Sequence, residues 1–201
     1  MQKIDKTGKL PEQSEKGFKK HKNSKWSDIP EEVKTPLREE LFLEQGGLCC
    51  YCCQKLKLEW SHIEHVQCRQ DYPKKRFDYD NLLLSCSTPK QCDNAKGNQE
   101  LSLTPLMKEC DNEIKLNLAG ELVSGSKRAD EAIDILKLNN RQIKLWRKNL
   151  VDAINFVFDP NQSYGPPIGI QDRKTLDLIM NNYSDLYQKR ELEYIIKKLT
   201  E

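Results

Sequence analysis

The chain has no apolar run approaching the roughly 20 residues needed to cross a bilayer, only three histidines, and almost no surplus of charge. Its 33 basic and 31 acidic residues leave a formal net charge of +2. So even a balance excludes bulk attraction to nucleic acid, and any such contact must come from a local basic patch or a partner. Hydrophobic residues make up 37% of the 201 positions and charged residues 32%. That suffices for one or two small cores with much solvated or partner-covered surface. The first 25 residues hold no apolar stretch like that of a secretion signal. The expectation is a cytoplasmic protein without membrane contact. Against these scarcities, cysteine stands out, with eight copies. Disulfides are rare in a reducing compartment, and closely paired cysteines there point to metal ligation.

Residues 1–25 carry eight lysines and three acids, with few apolar residues besides Ile4, Leu10 and Phe18. They read as a flexible or partner-ordered basic arm. Trp26 to Gln45 reads as helix, started by Ser27 or Asp28, with Val33, Leu37 and Leu41 on one face. Pro36 predicts a kink or two short helices. From Cys49 to Gly97 short apolar runs alternate with polar loops. Leu58, Trp60 and His62 have strand spacing, as do Leu82 and Leu84, and DNAKGN looks like a helix start. The order is strand, loop, strand, helix. Ile114 to Val123 reads as a hairpin turning at Ala119-Gly120. Residues 128–159 read as two helices divided at Asn139-Asn140. A linker at 160–169 and closing helices at 175–180 and 183–199 complete the chain. Ile133, Leu136, Leu138, Trp146 and Leu150 are more apolar surface than one small metal-stapled unit can bury, which predicts a docking face.

Cys49, Cys50, Cys52 and Cys53 lie in LCCYCC, and Cys86 and Cys92 in SCSTPKQC. Two cysteines two residues apart form a knuckle that can place both thiolates on one tetrahedral ion, and a second pair can close the site. Four thiolates make a structural zinc site without an open position. Cys49 with Cys52 and Cys50 with Cys53 have the same spacing, so spacing leaves the register open; we take Cys49, Cys52, Cys86 and Cys92.

Two of the three histidines fall in SHIEHV. If the strand bends, Glu64 and His65 serve one site; if it stays regular, His62 and Glu64 share a face. Asn81 and the Asp93-Asn94 pair follow. These are parts for phosphodiester hydrolysis. A histidine deprotonates water near neutral pH, oxygen ligands hold a hard divalent cation, and an amide can fix the histidine tautomer. Lys74, Lys75 and Arg76, interleaved with Tyr72, Phe77 and Tyr79, could meet phosphates or stack on bases.

The series CxYC, Glu64-His65, Asn81-Leu82 and Cys92-Asp93-Asn94-Ala95-Lys96-Gly97 resembles the HNH endonuclease family over residues 49–97. The resemblance implies an α+β fold, with a zinc-stapled ββα-metal core flanked by helices and a mostly helical C-terminal part. It implies His65 as general base, Asn81 orienting it, and Glu64 with Asp93 holding Mg²⁺ or Mn²⁺. Asp93 departs from the family's usual Asn or His, and Asn94 is the alternative ligand. Lys96 joins Lys74, Lys75 and Arg76 as an expected nucleic-acid contact. Most of residues 26–157, through QGGLCCYC, IEHV and ILKLNNRQIKLWRK, is similar to the HNH subunits of Septu-type anti-phage systems, which also accompany some retrons. That similarity implies a bacterial defence nuclease acting on DNA or a structured RNA such as tRNA. It also implies a PtuA-like ATPase subunit as partner, and a retron reverse transcriptase with its DNA or RNA. The expected division is an arm at 1–25, the nuclease domain with zinc site and hairpin at 26–127, and a helical, partner-docking region at 128–201. The alternative is a zinc-dependent module that binds nucleic acid or protein without cleaving.

Overall fold

A computed structural model describes residues 1–158 and 186–200. The predicted linker at 160–169 and helix at 175–180 lie outside the described residues. The fold is α+β, with two small antiparallel sheets and helices before, between and after them.

The first helices explain each other. Helix α1 (Glu12–Lys20) has Glu12 and Glu15 in its first turn and Lys19 and Lys20 in its last, matching the helix dipole. It packs on α2 (Glu31–Glu44). Gly17 permits the crossing, because a Cβ there would lie 2.4 Å from Val33 Cγ2. Helix α2 buries Val33, Leu37 and Leu41, as its periodicity predicts. It does not split at Pro36. The lost N–H would have paired with the carbonyl of Glu32, and Gln13 Nε2 of α1 donates to that carbonyl instead, at 2.9 Å. Ser27 and Asp28 do not cap α2. They sit in a separate 3₁₀ turn, and Pro30 occupies the cap position.

The lysine-rich N-terminal segment does not project as an arm. Met1, Ile4 and Phe18 are buried, Ile4 N–H donates to the Pro105 carbonyl at 2.7 Å, and Phe18 stacks on Phe77 with centroids 4.5 Å apart. Three well-spaced apolar side chains anchor it; its lysines face outward or pair with acids, as Lys6 does with Glu44.

Strands β1 (Ser61–His65) and β2 (Leu82–Cys86) form the first sheet, with His62 opposite Ser85 and His65 opposite Leu82. The strand starts later than the spacing of Leu58 and Trp60 predicts. Those two lie in a 3₁₀ turn, and Trp60 is 70% exposed. Leu82, Leu83 and Leu84 are fully buried. Gln45 mimics a third strand beside them, with Nε2 donating to Leu84 O and Oε1 accepting from Leu84 N. The short α3 (Asp93–Lys96) follows.

After α4 (Glu109–Glu113), β3 (Ile114–Leu116) and β4 (Leu122–Ser124) make the expected hairpin. Gly120 holds φ +75° under the backbone of the helix that begins at Arg141, where a Cβ would meet Lys144 O at 2.4 Å. Helix α5 (Lys127–Ile135) is capped by Ser126. The break before α6 (Arg141–Phe158) is set by Asn140, whose Oδ1 accepts from Gln142 and Ile143 N–H. Helix α7 (Leu186–Thr200) packs on β3 and α6 and buries Leu192, Tyr194 and Ile195. The expected apolar docking face is thus largely consumed within the chain. Ile133, Leu136 and Leu138 are buried, and Trp146 and Leu150 pack partly buried against the same core.

Candidate metal and catalytic site

The Cys49 knuckle is a tight turn, closed by Cys53 N–H on the Cys49 carbonyl at 3.0 Å, with Cys53 at φ +61°. It brings Cys49 and Cys52 to Cys86, at the end of β2, and Cys92, before α3. The four Sγ atoms lie within 4.8 Å of one another. A tetrahedron with metal–sulfur bonds of about 2.3 Å has edges of about 3.8 Å, and the Cys49 and Cys92 sulfurs stand 3.8 Å apart. The donor set fits zinc, and the register is the one taken from the sequence. Cys50 and Cys53 are buried outside the quartet.

The corner between α5 and α6 is built onto the second cysteine pair. Cys92 N–H donates to the Leu136 carbonyl at 3.0 Å, and Asn140 Nδ2 donates to Gln91 Oε1, whose Nε2 lies 3.6 Å from Cys86 Sγ. Arg147 of α6 is 1% exposed, bonded to the carbonyls of Leu138 and Ile143. Burial lowers its ordinary value, and the charges of Tyr194, Cys52, Cys53 and Cys92 oppose that loss.

Beside the quartet, β1 stays regular, so His62 and Glu64 share one side and His65 points to the other. Glu64 is buried against Tyr51 Oη at 2.7 Å and Lys96 Nζ at 2.8 Å. Burial pushes its carboxyl up, against Lys96 and Tyr51. His62 is exposed, and its Nδ1 lies 3.1 Å from Asp93 Oδ2. The other Asp93 oxygen, Oδ1, is buried without a hydrogen-bond partner among the described residues. Burial raises the Asp93 carboxyl, with His62 pulling the other way.

His65 is 5% exposed, edge-on to Trp26 with centroids 4.6 Å apart. Its Nε2 lies 3.0 Å from the Arg76 carbonyl. A carbonyl only accepts, so Nε2 carries the proton and Nδ1 the lone pair. Burial, with the charges of Arg69, Lys96 and Arg76, pushes His65 down to about 3, and it is neutral near pH 7. Asn81 does not touch the ring. Its Nδ2 donates to the carbonyls of Lys75 and Gln67, and its Oδ1 accepts from Gln67 N–H. It holds the loop whose next carbonyl, Arg76, sets the tautomer.

The predicted nucleic-acid contacts divide. Lys74 and Lys75 are exposed. The Arg76 guanidinium donates to the Ser24 and Lys22 carbonyls and lies over Phe77, tying the N-terminal segment to this loop. Lys96 is 1% exposed, bonded to Glu64 and the His65 carbonyl, and cannot reach a substrate. Asn94 is exposed.

No family model matches the chain. It is 27% identical over 139 residues to the "Retron Vc95 putative HNH endonuclease" of Vibrio cholerae serotype O1 biovar El Tor, across 62% of this chain and 68% of that one. The chain is related over that stretch to this retron protein, which supports an HNH relationship.

The HNH relationship draws attention to residues outside the motif series. Trp26, Lys34, Arg38 and Arg69 line, with His62 and Asp93, an open cleft of about 270 Å³. The signal for two of them was present in the sequence, since Lys34 and Arg38 lie one turn apart on α2. Nothing local in the sequence ties Trp26 to His65.

Proposed function

We propose that the chain is a metal-dependent HNH nuclease that hydrolyses phosphodiester bonds of DNA or a structured RNA. In this reading β1, β2 and α3 form a ββα-metal core stapled by zinc on Cys49, Cys52, Cys86 and Cys92. The observation that carries it is Asp93 Oδ1, a buried carboxylate oxygen without a hydrogen-bond partner among the described residues, beside His62 in a cleft with cationic walls. A buried oxygen of this kind fits a hard cation. Asp93 would hold Mg²⁺ or Mn²⁺, which supplies charge stabilisation at the scissile phosphate. Glu64 could join through Oε2, since Lys96 and Tyr51 both hold its Oε1. His65 is the base that the HNH resemblance names: Arg76 O keeps its Nδ1 unprotonated and Asn81 keeps Arg76 in place, and for it to act with Asp93 on one phosphate β1 must bend when substrate binds. His62 orients Asp93.

The relative's retron setting supports a role in anti-phage defence in the bacterial cytoplasm, with a PtuA-like ATPase and a retron reverse transcriptase as partners. The division into an N-terminal segment, a nuclease domain at 26–127 and a helical region at 128–201 belongs to the same proposal. The Glu64–Lys96 pair favours a second reading, a binding module without cleavage, because it occupies one oxygen of a ligand the reaction wants. Incubation with plasmid DNA and total RNA in Mg²⁺ or Mn²⁺ separates the two. The nuclease reading expects cleavage that His65→Ala abolishes; no cleavage of either substrate supports the module. If His65→Ala cuts normally and His62→Ala does not, the base is His62.

A further inference from the structure

The cleft beside Asp93 is lined by three cations. Lys34 and Arg38 come from α2 and Arg69 from the loop after β1. Two acids face them. Glu31 pairs with Lys34 at 3.2 Å and with Arg38 at 3.0 Å, and Asp93 pairs with His62. Arg69 is exposed with no acid partner among the described residues, and Arg38 Nε is buried with no hydrogen-bond partner among them. A buried guanidinium N–H without an acceptor is costly, and a phosphate oxygen entering the cleft is an acceptor that would satisfy it. Trp26 lies between these cations, with Lys34 Nζ 5.8 Å and Arg69 Cζ 5.9 Å from its ring centroid, while His65 meets it edge-on. Cations already attend the indole, so it is not an open stacking platform for a base.

We infer that Lys34, Arg38 and Arg69 form the phosphate-holding wall of the cleft, which grips the nucleic-acid backbone next to the scissile bond without reading bases. The inference rests on the nuclease reading for the identity of the polyanion. It moves the substrate-binding surface from the Lys74–Arg76 loop to the face of α2. Glu31 acts as an internal stand-in for phosphate, holding Lys34 and Arg38 in place and yielding them when the backbone enters. Arg38 and Arg69 suit this task because guanidinium groups donate to two phosphate oxygens at once.

The test is binding without cleavage. Full-length protein in EDTA is titrated with a labelled short DNA duplex and a labelled short RNA hairpin over a range of salt. Arg38→Gln and Arg69→Gln are expected to weaken binding several-fold and to flatten the slope of log Kd against log salt by about 0.7–0.9 each. Glu31→Gln removes the competing acid and is expected to tighten binding, which a merely destabilised protein would not do. Scrambling the probe sequence should change Kd by less than about twofold, as backbone contacts carry no sequence information. Wild-type affinity and slope in both arginine variants, with weakening confined to Lys74→Gln and Lys75→Gln, would overturn the inference. So would a Glu31→Gln protein that melts like wild type and binds more weakly. Neither result depends on cleavage, so the nuclease reading can fail or stand separately.

Discussion

The cysteine quartet and the residues around it, Glu64 and Asp93 on one side of β1 and His65 on the other, lie a few residues apart in the chain and differ in kind. The quartet is closed: four sulfurs converge, buried, with one edge already at the zinc tetrahedron's length. The other group is open and unassembled. Glu64 is engaged by Lys96, His65 faces away from His62, and Asp93 keeps one oxygen idle. Among the described residues no second group of three or more metal-ligating side chains comes as close together as the quartet. The difference matches what a structural and a catalytic ion would each require in the proposed nuclease. A structural ion stabilises the fold, so its ligands must converge. A catalytic ion needs open positions and shares its ligation with substrate.

The largest expected effect lies on the closed side. Cys49→Ser or Cys92→Ser should remove zinc and unfold the β1–β2–α3 unit, because structural zinc contributes on the order of 10 kcal/mol to small metal-stapled units. Loss of the near-ultraviolet circular dichroism signal together with zinc content checks this; a zinc-free variant that melts like wild type would erase the contrast.

Around Glu64, His65 and Asp93 the zinc quartet should be indifferent. Asp93→Asn and His65→Ala should each cost about 10²–10⁴ in cleavage rate, with zinc content unchanged. The sharper outcome is their separation. Asp93→Asn should also shift the Mg²⁺ or Mn²⁺ concentration for half-maximal rate, and His65→Ala should not.

A third expectation returns to the closed side. Arg147→Leu takes a buried cation from behind the thiolates. Zinc transfer to a competing chelator should speed up by about tenfold, while cleavage by zinc-loaded protein stays the same. An unchanged transfer rate would mean that Arg147 only packs.

The pH dependence of stability is smaller and belongs to His65. An unfolded histidine titrates near 6.5, and the folded one is held at about 3 by burial and by the charges of Arg69, Lys96 and Arg76. Above 6.5 neither state binds the proton. As pH falls from 6.5 toward 3, the unfolded chain takes up a proton that the folded chain refuses, and stability drops. At pH 5 the loss is on the order of 1–2 kcal/mol relative to His65→Asn, read from paired denaturant melts. A constant gap between the two proteins across that range would contradict the burial of His65. The smallest effect is Gln13→Ala, which frees the Glu32 carbonyl above Pro36 and should cost about 1 kcal/mol.

The site was legible in the sequence where chemistry is local. That a close cysteine pair meets Cys86 and Cys92 follows from spacing, which left Cys49/Cys52 and Cys50/Cys53 equivalent, and the strand, loop, strand, helix order follows from apolar runs and the DNAKGN start. What could not be read depends on contacts between distant segments. Pro36 looked like a break because Gln13, on another helix, supplies the missing donor. The first 25 residues looked free because three anchors among many lysines leave no periodic signal. Lys96 looked like a substrate contact, yet it fills the space between Glu64 and the His65 carbonyl. Asn81 was expected on the imidazole; it acts one peptide away, through Lys75 and Arg76. The apolar side chains of α5 and α6 looked surplus, since nothing local shows that their corner wraps around Cys86 and Cys92.

The central contrast, one metal that holds the fold and one that serves the reaction, is tested most directly by splitting the two. Purified protein is dialysed against EDTA, assayed for zinc, and then given nucleic acid with no metal, with zinc, or with Mg²⁺ or Mn²⁺. The expected result is about one zinc retained per chain, no cleavage with zinc alone, and cleavage restored by Mg²⁺ or Mn²⁺. Cleavage that survives dialysis unaided, or that returns only with added zinc, would contradict the account.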